Sequence, residues 1–138
     1  MVSLTQQFEF SAAHRLHCDE FSEQENRDVF GKCNNPEGHG HNYVVELTVG
    51  QPLSSPEGQV ISLADLESTV KRLVIDRLDH KHLNRDVPEF AKLNPSVENI
   101  AIKIWEWLEP EIQQTKLQRV RIYETPKTWA DYSGPSNP

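Results

Sequence analysis

His39-Gly40-His41 is the sharpest chemical feature of the sequence. Residues two apart on an extended strand share a face, so both imidazoles can reach one ion. A third nitrogen has to come from another segment. His14 is the best placed, because it closes a stretch in which Phe8, Phe10 and Ala12 alternate on one face. Three neutral imidazoles at about 2.0–2.1 Å leave zinc one tetrahedral position for water or substrate, which is a catalytic rather than a structural pattern. A hydrogen-bonded histidine pair is the plainer reading of His-x-His taken alone, and the third ring tips it toward metal. His17 and Cys18 are rival ligands, disfavoured because adjacent strand residues point to opposite faces. There is no His-Glu-x-x-His segment, so the usual metalloprotease arrangement is absent.

Three further positions could move protons or hold a substrate. Cys33 precedes His39 by six residues across a turn containing Gly and Pro, and that loop could bring its thiol back to the metal. Beside Lys32 or the ion, the thiol could act as a base; an inert thiol is equally compatible with its position. Asp79-His80 could form a pair in which the carboxylate fixes the imidazole tautomer. A histidine closing a helix is the competing reading, since the helix dipole favours it there. Glu124 continues the face of Val120 and Ile122, where an apolar residue is expected. A carboxylate at the end of a buried stripe needs a partner, and its two oxygens would suit the paired donors of an aminopyrimidine edge. A solvated strand end is the alternative.

The elements that must position these residues follow from periodicity. Residues 4–13 read as a strand and 17–38 as a long polar loop. A second strand covers 39–50, with His39, His41, Tyr43, Val45, Leu47 and Val49 on one face. Residues 51–58 read as a turn and 59–62 as a short strand. Leu63, Leu66, Val70, Leu73 and Val74 predict an amphipathic helix over 63–78, opened by Ser62 with Asp65. Val97, Ile100, Ile104 and Leu108 predict another over 96–114, started by Pro95-Ser96 and interrupted by Pro110. Residues 117–124 read as the last strand and 126–138 as loop. This order implies one α+β domain over 1–138, with an antiparallel sheet and its helices on one side.

Composition sets the outer limits. A chain of 138 residues can bury a core without disulfides, and two cysteines, Cys18 and Cys33, make no disulfide framework. A net charge of −7 argues against bulk nucleic-acid binding, although local cations can still hold a small anion. No apolar run is long enough for a transmembrane helix. Residues 1–20 carry charges and histidines where a signal peptide needs an apolar core, so a cytoplasmic location is expected.

Read together, Phe10-Ser-Ala-Ala-His-Arg-Leu16, Phe30-Gly-Lys-Cys-Asn-Asn-Pro-Glu-Gly-His-Gly-His-Asn-Tyr43, Leu78-Asp-His80, Glu98-Asn99 and Glu124-Thr125 resemble the 6-pyruvoyl-tetrahydropterin synthase family, which includes the 6-carboxy-tetrahydropterin synthases. The resemblance implies the tunnelling (T-) fold, with a four-stranded antiparallel sheet and two helices on one face. It implies subunits that join their sheets into a barrel, as a homo-oligomeric trimer or hexamer with active sites between subunits. It further implies zinc on His14, His39 and His41, proton transfer by Cys33, Asp79 and His80, and Glu124 as the pterin anchor, with Ser96 and Glu98 lining the ring pocket. The implied substrate is 7,8-dihydroneopterin triphosphate, and Arg15, Lys32 and Lys81 are candidate cations for its triphosphate by position. The long Cys33-to-His39 spacing and Ile61-Ser-Leu-Ala-Asp-Leu66 favour the pyruvoyl-forming branch. The alternatives are the carboxy-forming branch, which releases acetaldehyde on the way to queuosine, and a pterin-binding module without chemistry. Val97 stands where a pocket Thr is common, which alters one ring contact.

Overall fold

The computed structural model describes residues 1–52 and 56–136. Two long strands, β1 (Val2–His14) and β2 (His39–Gln51), form the centre of the sheet. They pair antiparallel in one unbroken register that sets Phe8 opposite Val45, Phe10 opposite Tyr43 and His14 opposite His39. Their inward faces therefore coincide, as the alternating apolar residues require. β4 (Lys116–Thr125) pairs with the other side of β2, placing Val120 beside Leu47 and Ile122 beside Val45.

The helical layer covers this one face. Helix α2 (Leu63–Val70) runs through a π-helical stretch (Lys71–Ile75) into α3 (Asp76–Leu78), matching the bounds expected for a single helix. Ser62 caps it by accepting the Asp65 N–H at 3.4 Å. Leu63, expected on the buried stripe, is 43% exposed as the first residue of the helix, and burial begins at Leu66. Helix α5 (Val97–Leu108) stops short of the expected 114. Glu109–Glu111 tighten into a 3-10 turn at Pro110, which lacks the N–H to continue the helix. Leu66, Val70, Val74, Leu78, Ile100, Ile104 and Leu108 join the inward residues of β1, β2 and β4 in a single core.

Four expectations are corrected. The loop over 17–38 contains helix α1 (Glu23–Phe30) and a 3-10 turn (Gly31–Asn34). Ser22 and Glu25 form a reciprocal capping box at its start, a signal present in the sequence. Residues 59–62 form no strand; Val60 and Ile61 are buried as a bend, and 53–55 of the preceding turn lie outside the described residues. The tail instead supplies β5 (Thr128–Tyr132), a hairpin partner of β4. A two-residue strand, β3 (Lys81–His82), runs parallel to β1 and leads into the short helix α4 (Leu83–Asp86). The sheet is thus mixed, in the order β3-β1-β2-β4-β5, rather than purely antiparallel with four strands. Its other face is polar. Glu46, 8% exposed, accepts from Gln7 at 2.8 Å, Arg119 at 3.0 Å and Tyr123 at 3.2 Å. No helix among the described residues is long and apolar enough to cross a membrane.

Candidate metal centre

The β1–β2 register answers where the third imidazole comes from. His14 faces His39 directly and Ala12 faces His41, so the two histidine-bearing strand ends meet on the same face of the sheet. Ring centroids are 5.9 Å apart for His14–His39, 4.9 Å for His14–His41 and 4.3 Å for His39–His41. The fourth member arrives on the 3-10 turn. The Leu16 N–H donates to the Cys33 carbonyl at 2.7 Å, and the Asn34 side chain donates to the Leu16 carbonyl at 2.8 Å. This stitching brings the Cys33 Sγ to 3.4 Å from His39 Nε2. One ligand atom from each of His14, Cys33, His39 and His41 lies within 4.8 Å of all the others. His17 is engaged by Asn34 and Asp19, and Cys18 by the Asn26 side chain through its backbone; neither belongs to the cluster.

The tautomer of His14 is set from behind. Its Nδ1 lies 2.8 Å from the Pro95 carbonyl, an acceptor only, so Nδ1 carries the proton and Nε2 presents a lone pair to the cluster. The buried Tyr43 hydroxyl also touches this nitrogen, at 3.2 Å. Sequence reasoning found neither contact. Tyr43 was legible as the next residue on the His39–His41 face, whereas a backbone carbonyl leaves no mark in residue type.

Glu124 closes the end of the site. Its Oε1 lies 2.9 Å from His41 Nε2 and 3.6 Å from His14 Nε2, yet both nitrogens are buried without an aligned hydrogen bond. Burial holds His14 and His41 below the usual histidine pKa, with Glu124 opposing that shift. A carboxylate therefore faces two imidazole nitrogens that burial keeps neutral, with no proton aligned between them. A divalent cation would resolve this arrangement, and three imidazoles with one thiol are a borderline-soft donor set that fits zinc. Cys33 is pushed up in pKa by burial and then by Glu124, so in the absence of added positive charge it stays a thiol.

The Asp79–His80 pair forms as the sequence anticipates, but elsewhere. Asp79 accepts the Ser11 N–H at 2.9 Å and meets His80 Nδ1 at 2.9 Å, and Ser11 anchors the turn again by accepting the His80 N–H at 2.6 Å. His80 adopts a left-handed φ of 59° at the outer edge of β1, with its side chain 83% exposed. Among the described residues, no hydrogen bond or ion pair links this pair to Cys33. Ser96 caps α5 by accepting the Asn99 N–H at 3.3 Å, one residue beyond the Pro95 carbonyl that holds His14. Glu98 is exposed in the first turn of α5, and neither it nor Ser96 is joined to the cluster.

Gly38 sets the approach to His39. Its φ is 77°, and a Cβ there would lie 2.6 Å from the His14 carbonyl oxygen and 3.0 Å from His82 Nε2. Gly38→Ala is expected to cost roughly 1–3 kcal/mol from the left-handed backbone alone, with a backbone clash added. Urea unfolding should show a lower midpoint, and metal binding should weaken with it. An unchanged midpoint and unchanged metal affinity would mean that the loop accommodates a side chain freely.

Comparison with known proteins agrees with this architecture. The family described as 6-pyruvoyl tetrahydropterin synthase matches residues 3–135. The 6-pyruvoyl tetrahydrobiopterin synthase of Drosophila melanogaster is 44% identical over 96% of this chain and 79% of that protein. The solved 6-pyruvoyl tetrahydropterin synthase of Caenorhabditis elegans superposes with a TM-score of 0.90 at 40% identity, covering 97% of this chain and 96% of that one. A 6-carboxy-5,6,7,8-tetrahydropterin synthase from Haemophilus influenzae is more distant, at 27% identity over 96% of this chain and 99% of that protein.

Proposed function

The chain belongs to the 6-pyruvoyl tetrahydropterin synthase family, and from that premise we propose that it converts 7,8-dihydroneopterin triphosphate into 6-pyruvoyl-tetrahydropterin with loss of triphosphate. The observation that carries this reading is the convergence of three imidazoles, the Cys33 thiol and the Glu124 carboxylate at one end of the sheet. His14, His39 and His41 would hold zinc. When bound, zinc would supply Lewis acidity to substrate hydroxyl oxygens and would favour the thiolate of Cys33.

The remaining roles fall to the protein's own groups. Cys33 sits where it can take a proton from the substrate side chain, with its Sγ at the edge of the imidazole cluster, 3.4 Å from His39 Nε2. Glu124 offers two acceptor oxygens to the paired donors of the pterin ring. Ser96 and Glu98, at the start of α5, would border that ring. The Asp79–His80 pair would act as the second proton-transfer group on the opposite side of the substrate, and because it sits at the β1 edge, the neighbouring subunit would bring it to Cys33. A trimer or hexamer with joined sheets suits this requirement, since β3 and β5 leave two sheet edges to pair. The reaction class is then a carbon–oxygen lyase.

Mass spectrometry of the product, with an assay for acetaldehyde, tests the assignment. The expected product retains the three-carbon side chain and no acetaldehyde appears. Acetaldehyde with a carboxylated pterin would assign the chain to the carboxy-forming branch instead. Binding of the pterin without turnover by the zinc-loaded protein would make it a binding module.

Glu124→Gln is expected to weaken pterin binding about tenfold to a hundredfold, the size of one lost charge-assisted bidentate contact. Fluorescence titration with 7,8-dihydroneopterin measures this, and unchanged affinity would remove Glu124 from the ring pocket.

A further inference from the structure

Two chain-adjacent pairs divide their side chains between the metal cluster and a neighbouring hollow. His14 and Cys33 belong to the cluster, while the residue beside each, Arg15 and Lys32, lines a hollow of about 480 Å³. Arg27 of α1 completes its cationic lining, His17 is a neighbour there, and Glu23 is the one acid among its lining residues. In a chain of net charge −7, that concentration of positive charge is local and specific.

The hollow is tied to the site by direct bonds. Arg15 Nε donates to the Asn34 carbonyl at 3.2 Å, so its guanidinium lies against the 3-10 turn that presents Cys33. Asn84 holds the Arg15 backbone on both sides, donating to its carbonyl at 2.8 Å and accepting its N–H at 2.7 Å. Among the described residues, the Arg27 guanidinium is held by Glu23 at 4.0 Å and by Gln24 at 3.2 Å, contacts that an anion would readily replace. Lys32 is exposed. Lys81, the third cation expected from sequence position, lies apart on the β3 edge in a separate hollow with His80.

We propose that this hollow, between α1 and the turn carrying Cys33, receives the triphosphate arm of the substrate through Arg15, Arg27 and Lys32. The inference rests on the proposed reaction for its ligand. Its physical content is that a departing polyanion needs cations next to the cluster, and this hollow, lined by the chain neighbours of His14 and Cys33, supplies them. Arg15 is the inner contact, fixed by the turn; Arg27 and Lys32 are the outer ones, on flexible side chains that can follow the departing anion.

The test uses zinc-loaded full-length protein and inorganic triphosphate, with zinc content assayed after each titration. By calorimetry, Arg27→Gln and Lys32→Gln are each expected to weaken triphosphate binding roughly tenfold, the size expected for one charge-assisted contact. The double variant should lose roughly a hundredfold if the two act independently. KM for 7,8-dihydroneopterin triphosphate should rise in parallel, while binding of unphosphorylated 7,8-dihydroneopterin stays unchanged. Triphosphate should inhibit the wild type competitively. Equal triphosphate affinity in the double variant would overturn the proposal, as would non-competitive inhibition, which would mark a separate polyphosphate site. Absence of turnover in the wild type would instead strike at the proposed reaction, leaving the calorimetric comparison to judge the hollow on its own.

Discussion

His39→Ala is expected to purify with almost no zinc, against an expected wild-type content of about one ion per chain for a three-histidine site, and elemental analysis measures the difference. Loss of a metal-supporting contact outside the ligand set already weakens affinity by about 10- to 100-fold, so loss of a ligand should exceed that range. His39 is the informative choice because, among the described residues, no hydrogen bond other than the Cys33 contact engages its ring. The fold should therefore survive, and circular dichroism should match the wild type. His14→Ala makes a contrasting control. That ring is fully buried and bonded to Pro95, so its removal should cost metal and also roughly 2–4 kcal/mol of stability through a cavity and an orphaned carbonyl. Full zinc occupancy in His39→Ala would mean that the three-imidazole site is not where the ion resides, and the proposed chemistry would lose its foundation.

Cys33→Ala is expected to lose turnover by at least roughly a thousandfold, within the range for removing a positioned general base, while retaining zinc near one per chain. The double readout matters because Cys33 Sγ stands among the candidate donor atoms. A thiol that served as fourth ligand would take the metal with it when replaced. Burial and Glu124 raise the Cys33 pKa, so a thiolate at neutral pH requires added positive charge in the cluster. Cys33→Ser sharpens the test, since a hydroxyl keeps the size but has a far higher pKa. It should be as inactive as the alanine variant. Loss of zinc in both variants would reassign Cys33 as a ligand, and retained activity would remove it from the reaction.

Much of this molecule was legible in its residue order, because period-two and helical patterns report burial directly. The His39–Val49 face of β2, the helix beginning near Leu63 and the helix near Val97 all followed from apolar spacing, and so did Glu124 as the polar end of an inward stripe. Local chemistry was equally readable. Asp79 and His80 are neighbours in the chain, and they pair in the fold as neighbours. What the order of residues under-reported was local structure without a buried face. Helix α1 buries only Asn26, so no apolar period announces it, although its capping box was present. Strand β5 lies in a tail rich in Pro, Ser and Gly, and β3 is only two residues long.

The site divides along the same line. Residue types nominated His14, Cys33, His39 and His41 as chemistry, but nothing in their spacing could say that His14 stands opposite His39. That depended on the strand register, which long-range packing of Phe8 on Val45 and Phe10 on Tyr43 decides. Nor could it reveal that the Pro95 carbonyl holds the His14 proton, or that Arg15 and Arg27 share a hollow, because both bring together segments remote in sequence. Sequence by itself determined which groups were available and which faces they shared, since those follow from backbone period. Tertiary structure alone decided which of them meet, since distance between strands and helices is set by how the whole core packs.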